Sequence, residues 1–161
     1  MAKAKSKADA IALLKQDHEK VKKAFKQFEK IDHEDTAAMK ELVDEVCNDL
    51  KVHTSLEEEI FYPAVRQAIE DDDMMNEAQV EHNSAKELIE MLEGMDPADE
   101  MYVATFTVLG EYVMHHAKEE EGEMFPEVKK TDLDLEELGA RMRRRMEELM
   151  GETADEDKQE N

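Results

Sequence analysis

A short pattern of histidine, glutamate and proline occurs twice and constrains the fold more strongly than any other feature of the sequence. The first copy reads HTSLEEEIFYP from His53, and the second reads HAKEEEGEMFP from His116. Aligned on their prolines, the copies share several residues, among them His53 with His116, Glu57 with Glu120, and Pro63 with Pro126. A lone histidine precedes each copy, His18 by 35 residues and His82 by 34. This spacing predicts an internal repeat in which each half contributes two helices.

The composition predicts an all-α chain. Of the 161 residues, 40% are hydrophobic and 40% are charged, with only five glycines and three prolines. This profile, rich in strong helix formers, is typical of a helical protein. No sustained alternation of apolar and polar residues indicates a strand. The length suits one compact domain with one core.

Start and stop signals divide the chain into five helical segments. They are predicted at about 8–31, 35–68, 73–93, 97–129 and 134–150. Gly94 follows the third segment as a stop, and Asp96 with Pro97 is typical of a helix start. Four long helices joined by short loops predict an up-and-down four-helix bundle.

We predict three parts along the chain: the bundle at 8–130, an additional C-terminal amphipathic helix at 131–150, and a disordered acidic tail at 151–161. The C-terminal helix carries apolar residues at helical spacing beside four arginines, so we expect it to pack on the bundle or on a partner, including a second copy of the chain. The tail has nothing to bury. Pro63 and Pro126 each remove a hydrogen bond within a long helix, and we expect each to bend or end that helix.

Six polar side chains are predicted to point into the apolar centre of the bundle. A histidine and a glutamate four residues apart lie on one face of a helix, and apolar residues share that face on all four helices. The six residues are His18, His53, Glu57, His82, His116 and Glu120. A hydrogen bond is the better explanation for any one buried histidine, but six such groups at repeated spacing are costly to bury without a cation.

The chemistry of these side chains predicts a two-metal site. Imidazole and carboxylate together suit iron, manganese or zinc, and two facing glutamates can bridge two cations. Each ion would take two histidines and share both glutamates, which leaves positions for an oxo or hydroxo bridge and a small ligand. A ferritin-like bundle is excluded because it needs Glu-x-x-His on two helices, and no glutamate stands three residues before any histidine.

The pattern, with its trailing EEIFYP and EGEMFP, resembles the hemerythrin-like (HHE cation-binding) domain over about residues 10–130. The resemblance implies an up-and-down four-helix bundle around two iron ions and gives the six residues the role of metal ligands. An oxygen-carrying hemerythrin has a further histidine where this chain has Lys86. It also has an aspartate five residues after the last histidine, where this chain has Glu121, with Glu120 at four. These departures predict a more symmetric and more open site.

Three functions follow from this site. The first is a di-iron protein that binds or senses oxygen, nitric oxide or peroxide; the second is an enzyme that acts on peroxide or nitric oxide; the third is an iron store or an interaction bundle. The sequence contains no evident proton relay or substrate pocket, which favours binding over catalysis.

The net charge of −22 argues against nucleic acid and anionic membranes as partners. The single cysteine and the lack of a long apolar segment predict a cytoplasmic protein.

Other residues with chemical potential are interpreted as accessory. Alignment on the prolines selects His116 as the inward-facing histidine. We expect His115 to lie at the surface or to contact a metal-ligating residue, and we expect His33 to be exposed in a loop. We expect Glu58 and Glu121 to be solvated or to hydrogen-bond a ligating imidazole. Tyr62 and Tyr112 are placed where either could approach the metals, but a packed tyrosine with a satisfied hydroxyl group is the preferred interpretation of each. Cys47 is expected to be inert.

Overall fold

The computed structural model describes residues 8–159, and all regular structure in that range is helical. Long α-helices are α1 (Ala10–Glu29), α2 (Thr36–Leu56), α4 (Asp72–Glu93), α5 (Tyr102–Glu119) and α7 (Leu135–Gln159). Two π-helical turns, π1 (Glu57–Phe61) and π2 (Glu120–Met124), join α2 to α3 (Tyr62–Ala68) and α5 to α6 (Phe125–Lys129). The four rods α1, α2–π1–α3, α4 and α5–π2–α6, with α7 as a fifth element, confirm the predicted helical bundle.

A π-helical turn lies before each internal proline. The backbone N–H of the residue preceding Pro63 or Pro126 donates to the carbonyl five residues back, on Glu57 or Glu120. The prediction that each proline bends or ends its helix is corrected in part, because the chain continues as a helix through a wider turn. Proline lacks the N–H that would close the α-helical bond, and the wider turn accommodates that loss.

The fourth rod begins later than predicted. Its first helix starts at Tyr102, whereas the signal at Pro97 predicted a start five residues earlier. Asp96 and Asp99 each accept a hydrogen bond from the backbone N–H two residues later, so they stabilise two local turns in place of a helix start. Gly94 does end α4, as predicted, with a negative φ of −93°.

Helix α7 packs on the bundle, which is one of the two placements predicted for it. Leu138 and Met142 are buried in a core that also includes residues of α1, α2 and α3. Arg145 donates two hydrogen bonds to the carboxylate of Glu59 in π1, at 3.1 and 3.3 Å. The apolar stripe of α7 therefore covers one side of the bundle.

The predicted disordered tail at 151–161 differs from the structure, in which α7 continues to Gln159. Residues 160–161 lie outside the described range. The segment ETADEDKQ contains no proline and several good helix formers, so nothing in it stops a helix that has already begun.

Two apolar cores lie along the bundle, and the predicted site lies between them. Leu14, Leu56, Phe61 and Phe125 belong to the first core, and Val21, Leu50, Phe106 and Leu109 belong to the second. His18 and His53 each lie in the chain between a residue of one core and a residue of the other. No helix among the described residues is long and apolar enough to cross a membrane.

Candidate metal centre

The structure brings all six predicted site residues together in the middle of the bundle. They form two groups, and within each group one ligand atom per residue lies within 4.8 Å of the others: His18, His53 and Glu120 in the first, and Glu57, His82 and His116 in the second. All six belong to α1, α2, α4, α5 and the first residues of π1 and π2. Each group therefore takes two histidines from one half of the repeat and its carboxylate from the other.

Each glutamate lies between the two groups. Glu57 Oε1 is 2.9 Å from Nε2 of His53 and 3.2 Å from Nε2 of His82. Glu120 is 3.0 Å from Nε2 of His18 through Oε1 and 3.4 Å from Nε2 of His116 through Oε2. Both carboxylates thus approach one histidine of each group, as a pair of bridging ligands would.

The surroundings of the Glu57 carboxylate show whether a cation fits between the two ligand groups. The residue has 0% solvent exposure, and neither carboxylate oxygen has a hydrogen-bond partner among the described residues, despite the short distances to two imidazoles. An unsatisfied buried group costs about 1–3 kcal/mol, and more if it is charged. Two atoms bound to one ion at about 2.1 Å, at angles of about 90–110°, lie about 3.0–3.4 Å apart. The distance of 3.2 Å to His82 lies in this range and that of 2.9 Å to His53 is just below it, so the residues fit a bound cation.

Tyr62 contributes a phenol to the centre. Its hydroxyl group donates to Glu120 Oε2 at 2.6 Å and lies 3.0 Å from Nε2 of His116 and 3.2 Å from Nε2 of His82. Burial, and then the charges of the two central carboxylates, raises the pKa of Tyr62 well above its ordinary value. The tyrosine is packed and satisfied, as expected, and it also lies among the central ligand atoms, which was the second role considered for it.

The two halves of the repeat differ at this position. Tyr62 precedes Pro63, and its counterpart before Pro126 is Phe125, whose ring stacks on His18 with the centroids 6.2 Å apart. The signal in the sequence was this difference between tyrosine and phenylalanine at the position before the aligned prolines. A phenol therefore lies at the second group, whereas a phenyl ring lies at the first.

A carboxylate stands behind each of the four histidines. The Nδ1 atom of His53 donates to Asp17 at 2.9 Å, and that of His82 donates to Glu58 at 3.1 Å. The corresponding distances, without hydrogen-bond geometry, are 3.4 Å from His116 to Glu81 and 3.7 Å from His18 to Glu121. For Glu58 and Glu121 this role was the alternative to a solvated side chain, and only Glu58 forms the hydrogen bond. Asp17 and Glu81 were missed. Asp17 and Glu81 directly precede the lone histidines, His18 and His82. An acidic residue before each lone histidine was therefore the signal that the sequence offered.

Comparison with known proteins decides the family. The family model described as the hemerythrin HHE cation binding domain matches residues 9–128. This chain belongs to the hemerythrin HHE family. The predicted resemblance is thereby confirmed.

One solved structure supports the same assignment. This hemerythrin domain is 28% identical to a hemerythrin HHE cation binding domain-containing protein from Mycobacterium kansasii, with a TM-score of 0.76 over 90% of this chain and 89% of that chain. It is also 26% identical over 117 residues to a Nostoc sp. protein described as a DNA nickase. That match covers 73% of this chain and 32% of the nickase, so the chain spans about a third of that relative's length.

The electrostatics of the hemerythrin site favour the charged forms of His53, His116 and Glu120. Burial lowers the pKa of His53, but Glu57 and Asp17 outweigh it, and the net pKa is well above the ordinary value. The same competition, with Glu120 as the main opposing group, raises the pKa of His116 to about 9. Burial raises the pKa of Glu120, yet the surrounding hydrogen bonds and His116 hold it well below its usual range. His53 and His116 thus favour the protonated form beside the ionised Glu120.

A small apolar cavity adjoins the four histidines of the hemerythrin domain. Its volume is about 40 Å³, and its apolar walls include Val21, Leu50, Ile89 and Val113. A water molecule needs about 10–15 Å³ of such space, so this cavity admits a molecule of a few atoms. Tyr112 also lines it and is 45% exposed.

The other accessory residues lie away from the central ligand atoms. His115 is at the surface, with its Nε2 2.8 Å from Glu119, and His33 is exposed. Cys47 is buried, and burial, with Glu93 and Asp44, raises its pKa to about 12. A protonated, buried thiol is a poor nucleophile, in keeping with the expectation that Cys47 is inert.

Proposed function

We propose that this hemerythrin domain holds two iron ions in a carboxylate-bridged centre and binds or senses a small ligand such as oxygen, nitric oxide or peroxide. His18 and His53 would bind one ion, His82 and His116 the other, and Glu57 and Glu120 would bridge them. The observation that carries this proposal is the fully buried Glu57 carboxylate, which has two imidazole nitrogens at ligand-to-ligand distances and no hydrogen-bond partner among the described residues.

The surrounding side chains would prepare the histidines for this role. A hydrogen bond from Nδ1 to Asp17 or Glu58 fixes the imidazole orientation and leaves Nε2 as the ligating atom. When bound, a pair of irons supplies open coordination positions and electrons for a small ligand. The apolar walls of the adjoining cavity suit a small uncharged molecule.

Elemental analysis tests the proposal. Protein expressed in iron-replete medium is compared with the double variant Glu57→Ala, Glu120→Ala. Glu87→Ala, Glu90→Ala serves as the matched control, since both residues are exposed on α4. We expect about two irons per chain, as in two-metal sites, in the wild type and the control and a loss of iron in the test variant. No iron in the wild type, or equal iron in all three proteins, would refute the di-iron centre.

A second candidate function is an enzyme that turns over peroxide or nitric oxide. The Tyr62 hydroxyl group favours it, because this buried proton donor lies within 3.2 Å of three central ligand atoms. Steady-state assays of iron-loaded wild type and Tyr62→Phe distinguish the candidates. Substantial turnover that falls in the variant supports an enzyme, whereas stoichiometric binding without turnover supports a binding protein or sensor.

A further inference from the structure

A second cluster of potential ligands lies at the surface, on α4 and α5. Glu81, His115 and Glu119 each place one ligand atom within 4.8 Å of the others. The side chains of His115 and Glu119 are 66% and 39% exposed. One histidine and two carboxylates are a donor set that suits divalent transition metals.

Two adjacent cavities lie between this cluster and the buried centre. The outer cavity, of about 600 Å³, and the inner one, of about 20 Å³, share three acidic walls: Glu77, Glu81 and Glu119. The inner cavity is also lined by Glu123 and reaches His116 and Glu120. Among the described residues, no lysine or arginine lines either cavity. A cation on this path therefore meets mainly carboxylates and uncharged side chains, and the basic groups that line it are His115 and His116.

Glu81 links the surface cluster to the centre. It belongs to the cluster, and its Oε1 atom is 3.4 Å from Nδ1 of His116. That buried nitrogen has no hydrogen-bond partner among the described residues. The path therefore ends directly at a residue of the second ligand group.

The equivalent face of the first half has the opposite character. The repeat matches His115, Glu119 and Glu123 with apolar residues, which are Val52, Leu56 and Ile60. These three residues belong to, or pack against, the core that includes Leu138 and Met142 of α7. The two halves carry the same types of ligand residue. The flank of the first half is apolar and covered by α7, whereas the flank of the second half is acidic and open.

We propose that the acidic flank of the second half is the entry site through which divalent cations reach the buried centre. An incoming ion binds first at Glu81, His115 and Glu119, and then passes Glu77 and Glu123 to His116 and Glu120. This proposal rests on the proposed two-metal centre. It adds a third, weaker and exchangeable cation site with a role in loading.

Loading kinetics test the entry site. Metal-free protein is mixed with Fe²⁺ under anaerobic conditions, and the iron that resists a fast chelator is measured over time. The variant His115→Asn, Glu119→Gln changes two exposed side chains outside the centre, so the fold and the final iron content should persist. We expect loading to slow by about tenfold, the lower end of electrostatic steering effects.

The control variant is Glu87→Gln, Glu90→Gln. It removes more negative charge than the test variant but lies on exposed positions of α4 outside both cavities. It should load at the wild-type rate, which separates a local entry site from the effect of net charge. Wild-type loading in the test variant, equal slowing in the control, or normal kinetics with a lower final iron content would each overturn the entry site. Failure of the wild type to take up iron would instead refute the two-metal centre and the entry site with it.

Discussion

Asp17 and Tyr62 act on the candidate centre through single hydrogen bonds. Asp17 accepts from Nδ1 of His53 at 2.9 Å, and Tyr62 donates to Glu120 at 2.6 Å. Neither bond could be read from helical periodicity, because each joins residues of different helices. Each bond depends on a single donor and acceptor pair, so substitutions that keep the shape of the side chain can test it.

Asp17→Asn should weaken cation binding. The amide is a weaker acceptor for the Nδ1 proton of His53, and loss of such a carboxylate partner typically reduces metal affinity by about 10–100-fold. Competition with a chelator of known affinity measures the effect. Asp44→Asn is the matched control, since Asp44 is exposed and pairs with Lys40 away from the centre. Equal affinities for the two variants would contradict this role for Asp17.

Tyr62→Phe should destabilise the metal-free protein. The substitution leaves a buried Glu120 oxygen without its donor, at a cost of about 1–3 kcal/mol of unfolding free energy. Tyr102→Phe is the control, because Tyr102 is equally buried and its hydroxyl group forms no hydrogen bond with a described residue. Urea denaturation of both metal-free variants gives the comparison. The same loss in both would show that only packing matters.

The six central residues were predictable because repeat spacing and helical periodicity are both local properties. His53 and Glu57, for example, share a face once their segment is a helix. Asp17 and Glu81 were missed, and the approach of Tyr62 to the centre was only the second interpretation, because these roles depend on distances between helices. The repeat places an acidic residue before each lone histidine, namely Asp17 and Glu81. Only the packing of the helices brings Asp17 next to His53 and Glu81 next to His116.

At the scale of elements, the two π-turns matter most for the site. Both begin at a central glutamate and end just before a proline. The sequence correctly indicated that Pro63 and Pro126 each remove a helical hydrogen bond. Local helix propensities did not predict that the preceding N–H would donate to the carbonyl five residues back. π-Turns of this kind often lie at functional sites, and here they hold Glu57 and Glu120.

Met142→Ala should destabilise the protein through α7. Met142 is 0% exposed in the core that α7 shares with α1, α2 and α3, and truncation of a buried methionine to alanine costs about 2–5 kcal/mol. Met150→Ala is the control on the same helix, since Met150 is 48% exposed, and surface changes usually stay within about 0.5 kcal/mol. Thermal or urea unfolding measures both. Similar small losses would mean that α7 is only loosely attached.

At the scale of the whole molecule, cation binding should stabilise the fold. A bundle that buries four histidines and two carboxylates binds cations in the native state far better than in the unfolded state. Free Fe²⁺ at about 100 times its Kd adds about 2.7 kcal/mol to the unfolding free energy, which corresponds to about 100-fold less unfolded protein.

Cys47 provides a readout for this stabilisation. Burial raises its pKa from 9.0 to about 12, so the native thiol stays protonated at pH 8, and the fold loses stability through this group only as the pH rises above 9 towards 12. Alkylation at pH 8 therefore requires opening of the core and tracks the unfolded population. Under anaerobic conditions, Fe²⁺ should slow iodoacetamide labelling by about 100-fold. Labelling in concentrated urea, where both samples react alike, is the control, and equal native rates would contradict the linkage.

The origin of each ligand group has a consequence for how the molecule can be divided. Neither half of the repeat contains a complete group, since His18 and His53 require Glu120, and His82 and His116 require Glu57. A chain cut in the turn at residues 94–101 would give two hairpin fragments with incomplete groups. Neither fragment could complete a ligand group alone, so capture of the ions would require reunion of the fragments through their shared apolar cores.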